Sequence, residues 1–176
     1  MFHLAITRLA QGSAILGGIV LIALVCVICV SILGREAISL AGSGDLRTTL
    51  RQIGIGPVTG DYELVEAGMA FAVFSFLPLT QLTGSHARVD IFTSGLGPKV
   101  NAVLGAFWSV VMAAIILLLT WRLYAGMQDK LRYGETTFLI QFPVWWAYAA
   151  CLVVAIVACI TSLYCAARHL TGRPVE

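Results

Sequence analysis

Charge is what this sequence has least of. Only 11% of its 176 residues are Asp, Glu, Lys or Arg, against about 25% in an ordinary soluble domain. Hydrophobic residues make up 59%. A soluble fold this apolar would carry large exposed sticky patches, so the soluble class is excluded. The net charge is +2 and the basic residues are scattered, which leaves no clustered cationic footprint for nucleic acid. Histidine is scarce and badly placed for a cofactor. His3, His86 and His169 sit at the ends of apolar runs or between them, whereas a membrane haem needs axial ligands inside a helix bundle.

A second absence concerns depth. No Asp, Glu, Lys, Arg or His falls in the interior of any long apolar run. Buried ionisable groups mark ion pathways and proton relays. A chain without them is not expected to carry an ion-coupled transport path alone, nor to act as a small multidrug exporter with a mid-helix carboxylate. Cysteine is missing from the connecting loops: Cys26 and Cys29 lie in the first apolar run, and Cys151, Cys159 and Cys165 in the last. They read as small packing residues. Cys26-Val-Ile-Cys29 also has the spacing of a redox pair, but a membrane thiol oxidase would need a second pair in an exposed loop.

What the sequence does have is four apolar blocks, with a mean hydropathy of +0.92 over the whole chain. Blocks of about 20 residues span a bilayer. The expected class is an all-α integral membrane protein with four transmembrane helices and a short interfacial segment between helices two and three. The whole chain, 1–176, reads as one transmembrane domain. The helices are expected at about 9–33, 61–83, 100–121 and 138–167. The first is too long for a signal peptide's apolar region and reads as a retained helix. Gly42, Gly44, Gly54, Gly56 and Gly60, with Pro57, make 41–60 a loop; Leu46 to Ile53 has room for an amphipathic turn. Pro78 is expected to kink helix two. The linker 86–99 mixes His86, Arg88, Asp90 and Lys99 with apolar side chains, as a segment lying in the membrane surface would. Trp145 and Trp146 open the fourth helix as an interfacial belt.

Small residues recur at four-residue spacing, a pattern that lets helices approach closely in lipid. Ala10, Ala14 and Gly18 form one row, Gly105, Ser109 and Ala113 another, and Ala147, Cys151, Ala155 and Cys159 a third. Each row fits packing within the chain or a seam for another subunit. Glu63 and Glu66 share a helical face and suit either the helix dipole or a basic partner. Four spans place both termini on one side. That side carries Arg8, Arg88, Lys99, Arg168 and Arg173; the other carries Arg35, Arg47, Arg51, Arg122, Lys130 and Arg132. The two sets are too alike for the positive-inside rule to orient the chain.

Three stretches carry a family resemblance: Gly60-Asp61-Tyr62-Glu63-Leu64-Val65-Glu66, then His86-Ala87-Arg88-Val89-Asp90, then Gly134-Glu135-Thr136-Thr137 with Phe142-Pro143-Val144-Trp145-Trp146. With the length and span count, the chain resembles the small membrane subunit (DctQ-like) of tripartite ATP-independent periplasmic (TRAP) transporters. The Gly-rich first loop is longer than the family pattern. The resemblance implies a bacterial inner-membrane protein with both termini in the cytoplasm. It implies a large elevator-type membrane subunit holding the substrate and sodium sites, and a periplasmic binding protein delivering a carboxylate or related organic anion. No catalytic residue, metal ligand or cofactor is expected in this chain. Glu63, Glu66, Gly105, Ser109 and Ala113 are then candidates for the contact with the large subunit. His86, Arg88, Asp90, Lys99, Trp145 and Trp146 are candidate interfacial anchors, and Arg122, Lys130 and Arg132 candidate contacts for the binding protein. The other readings are a thiol redox protein using Cys26 and Cys29, and a membrane anchor for an unrelated enzyme.

Overall fold

A computed structural model describes residues 2–42, 45–84 and 97–171. Five helices follow one another: α1 Phe2–Leu40, α2 Asp45–Gln52, α3 Asp61–Thr83, α4 Pro98–Tyr133 and α5 Val144–Leu170. All but the short α2 are long and apolar enough to cross a membrane. The expected interfacial segment with His86, Arg88 and Asp90 lies outside the described residues, and so does the Lys99 side chain.

Two spans run well past the ends that hydropathy marks. α1 covers Phe2–Leu40 rather than 9–33, and α4 continues to Tyr133 rather than Trp121. Hydropathy reports which side chains tolerate lipid, not where the hydrogen-bonded ladder stops. Arg122 to Tyr133 is rich in strong helix formers such as Leu, Ala, Met, Gln, Lys and Arg, so α4 carries on into the headgroup region. It stops at Gly134, whose N–H turns back to the Lys130 carbonyl. α5 errs the other way, starting at Val144 rather than Phe138. Pro143 stands just before it in an extended conformation (φ −62°, ψ 115°). The residues before that proline form a hairpin instead of a helical turn. In the Gly-rich loop, the amphipathic turn appears as α2.

α1 meets α3 along a narrow seam. Ala10, Gly17, Leu24 and Ser31 are buried at seven-residue spacing, with Ile6, Ser13 and Gly34 on the adjoining row. A seven-residue repeat is the spacing that knobs-into-holes packing between helices uses. Ala72 and Ser75 face it from α3, both almost wholly buried. Ala10 and Ala14 of the small-residue row lie in the core, whereas Gly18 has open space beside it.

The spans stand in a row, α1–α3–α5–α4, rather than in a closed bundle. α3 packs on both α1 and α5, and α4 packs on α5; among the described residues no Cα of α1 or α3 comes within 8 Å of one in α4. α5 is the central element. Cys151, Ala155 and Cys159, three of its predicted row, are buried inside the chain. Ala158 and Cys159 pack with Ile116 of α4, and Leu77 of α3 leans on the same cluster. At the terminal end, Ile6, Ala10, Leu82 and Cys165 close a second cluster. There the Tyr164 hydroxyl lies 3.1 Å from His3 Nδ1, which ties the start of α1 to the end of α5.

Candidate partner-binding surfaces

The end of the row away from the termini is locked by two carboxylates at the start of α3. The Ser31 hydroxyl of α1 donates to Asp61 Oδ2. Ser31 Oγ in turn accepts the Val58 N–H at 3.2 Å. Arg35 stands 3.8 Å from the same carboxylate. The loop closes down onto α1 at Gly34, where any Cβ would collide with the backbone of Gly56. Ser31 and Asp61 thus join the far end of α1, the loop and α3. Ser31 has no role in the sequence-based reading, and Asp61 enters it within the Gly60-to-Glu66 stretch that opens α3, not as a tie to α1.

Glu63 makes the second lock. Its Oε1 accepts the Leu139 N–H at 2.6 Å, and its Oε2 accepts the Ile140 N–H at 3.0 Å. The Thr137 hydroxyl and the Phe138 N–H also act on this carboxylate. Successive backbone N–H groups converging on one anion form a nest, and bonds to a charged acceptor are among the stronger kinds. Gly60 makes the approach possible. Its φ is +78°, and a Cβ there would strike the Ile140 side chain.

The hairpin between α4 and α5 is closed from within as well. The Thr137 N–H donates to the Phe142 carbonyl at 2.9 Å, and Val144 N–H to Glu135 carbonyl at 3.0 Å. The Phe142 N–H donates to Thr137 Oγ1 at 3.0 Å, and Lys130 pairs with Glu135. Gln141 sits at φ +56°, a left-handed conformation uncommon for a residue with a Cβ. The surrounding bonds hold it there.

This geometry sorts the candidate residues. Glu63 faces its own hairpin, while Glu66 is exposed in a shallow groove of about 270 Å³ with Tyr62, Val65, Met69 and Ala70. Ala113 is buried within the chain, Ser109 bonds its own helix at the Gly105 carbonyl, and Gly105 faces open space. Trp145 and Trp146 lie side by side at the head of α5, and Trp146 is exposed. Lys130 is engaged by Glu135; Arg122 lies over the Trp121 ring at 5.7 Å, and Arg132 is exposed. Cys26 and Cys29 are free thiols on the exposed side of α1. An apolar groove of about 780 Å³ lies between α4 and α5, walled by Leu117, Leu118, Trp121, Tyr124, Leu152 and Ile156 among others. No group of three or more His, Cys, Asp or Glu able to hold a metal occurs among the described residues.

The family model for the DctQ component of tripartite ATP-independent periplasmic transporters matches residues 24–172. The chain belongs to this DctQ family. No curated protein and no solved structure matches it. The DctQ family is a transporter component and not an enzyme family, so the surfaces above are those of a multi-pass subunit in a membrane transport system. The lock at Glu63 ties the stretch Gly60 to Glu66 to Leu139 and Ile140, which lie between the resembling stretches Gly134 to Thr137 and Phe142 to Trp146. Their partnership was invisible in sequence because they lie more than seventy positions apart. A usable signal was the run Thr136 to Trp146, which is free of charge and contains a proline.

Proposed function

We propose that this DctQ subunit is the static scaffold of a sodium-coupled uptake transporter for organic anions, carboxylates foremost. It holds a large elevator-type membrane subunit upright and helps dock the periplasmic binding protein. On this reading the chain sits in a bacterial inner membrane with both termini in the cytoplasm. The Gly-rich loop, α2 and the α4–α5 hairpin then lie on the periplasmic side. The sodium and substrate sites belong to the large subunit, since the interiors of these four spans carry no ionisable residue.

One observation carries the reading: the row α1–α3–α5–α4. A row of spans is wide for the number of helices it contains, and it leaves long apolar flanks on α1 and α4. A fixed partner for a moving domain needs that girth. Glu66 and the α4–α5 groove are its best candidate contacts with the large subunit; Arg122 and Arg132 are exposed cations on the binding-protein side. The test is purification of the tagged chain from its native membrane in mild detergent, with mass spectrometry of what accompanies it. The expected result is a large polytopic membrane protein in near-equal amount. A chain that purifies alone as a monodisperse species would refute the scaffold role.

A further inference from the structure

The α4–α5 hairpin ends in three apolar side chains that pack on little of the chain. Phe138 is 91% exposed, Leu139 54% and Ile140 41%. Three observations say where this tip lies. The first is depth. Ile140 abuts Gly60, and Glu63 of the first turn of α3 holds the tip's N–H groups. The tip therefore sits level with the start of the α3 span.

The second is the state of the backbone. The N–H groups of Gly134, Glu135, Thr137, Leu139, Ile140, Phe142 and Val144 all have partners within the chain. A loop in water has no need of this, because water satisfies its amides. Non-helical backbone at low dielectric must satisfy its amides internally. The third is continuity. Thr136 to Trp146 contains no charged residue. Phe142 lies edge-on to Trp146 at 5.9 Å, and Trp146 to Trp145 at 5.7 Å, so the tip continues the aromatic belt at the head of α5.

We propose that Phe138, Leu139 and Ile140 form a foot that inserts into the lipid interface beside α3, with the Glu63 carboxylate as the positioning residue that folds it there. The occupant is phospholipid, at the boundary between headgroups and acyl chains. A neutral apolar tip whose Phe138, Leu139 and Ile140 amides are held by Glu63 suits that zone, where a protein partner would find few polar handles. The foot fixes how deep the middle of the row, α3 and α5, sits at the side away from the termini. This inference rests on the four membrane spans and not on the transporter role.

The test places a benzophenone-bearing phenylalanine at position 138 of the full chain, in cells making the whole transport system. Native membranes are irradiated and the adducts identified by mass spectrometry. A phospholipid adduct is the expected result. An adduct with the large membrane subunit, an adduct with the periplasmic binding protein, or an unreacted label would each overturn the proposal. Failure of the scaffold reading looks different: no large subunit would copurify, while the lipid adduct at position 138 would remain.

Discussion

α4 and α5 are neighbours of like hydropathy in opposite situations. α5 lies buried along one whole side, through Cys151, Ala155, Ala158, Ser162 and Cys165. α4, among its described residues, buries only Ala113 and Ile116, and it shows Leu117, Leu118, Leu119 and Trp121 outward. Hydropathy cannot account for the difference, because lipid is as apolar as leucine and offers no hydrophobic drive between helices. Side-chain size does. α5 presents Ala, Cys, Ser and Thr to its neighbours, and backbones come close. α4 presents branched and aromatic side chains, and it keeps one neighbour. The surface left over on α4 is what a second subunit or lipid must cover.

The largest test of this contrast is to give α5 an α4-like residue at the point of contact. Ala158 is fully buried against Ile116, so Ala158→Leu should overpack the seam and cost about 1–3 kcal/mol. Thermal unfolding of the purified chain in detergent measures the loss. Ala114→Leu, on the exposed wall of the α4 groove, should change chain stability by less than about 0.5 kcal/mol. Its effect should fall on recovery of the large subunit. Equal destabilisation by both would mean that size at the seam is not what separates the two helices.

A second prediction compares the two acids of α3. Glu63→Ala leaves the Leu139 and Ile140 N–H groups without their acceptor. These bonds lie at the exposed tip of the hairpin, and losing their charged acceptor should accelerate amide exchange at positions 139 and 140 by about tenfold. Glu66 has no hydrogen bond or ion pair among the described residues, and Glu66→Ala should leave those amides unchanged. If Glu66→Ala alone weakens copurification, the two acids divide the work between fold and partner. If Glu63→Ala leaves exchange at 139 and 140 as it was, the hairpin lock is not what holds the tip.

A smaller effect is expected at Thr120, which makes a polar contact between α4 and α5. Thr120 Oγ1 bonds its own helix at the Ile116 carbonyl, 2.8 Å away, and also meets Cys159 Sγ at 3.1 Å. Because the stronger bond stays within α4, Thr120→Val should cost about 0.6 kcal/mol, the usual size of such a bond between membrane helices. A cost several times larger, read from the same thermal unfolding, would make this hydroxyl and not the small residues the principal tie.

The contrast also shows which parts of the structure could be read from sequence. The spans were legible because 25 uncharged residues from Leu9 to Leu33 admit one physical solution. The ends were not, since a helix at a membrane surface obeys propensity and capping once it leaves lipid, as Arg122 to Gly134 shows. Four-residue spacing found Ala10 and Ala14 but named Gly18, where the buried position is Gly17. The true seam alternates steps of three and four, and a pure four-step row drifts off it after one turn. Glu63 was read as serving the helix dipole or a basic partner, and its bonds to the hairpin N–H groups were not foreseen. Helical spacing shows which residues share a face and says nothing about a hairpin folding over that face from far along the chain.

The smallest expected effect is at Cys26 and Cys29. Both are exposed on α1, outside the heptad seam that runs through Leu24 and Ser31. Replacing both with Ala removes little packing, so stability should move by less than about 0.5 kcal/mol. Substrate uptake by the assembled system should be unchanged. A thiol redox role would give the opposite result, loss of activity with the fold intact. It would also require electrons to leave a pair on the lipid-facing side of a span whose chain has no other cysteine outside the spans. The same double variant tests the seam from its outer side. If Cys26→Ala and Cys29→Ala weaken recovery of the large subunit while sparing chain stability, the exposed face of α1, and not only that of α4, is covered by protein in the assembled transporter.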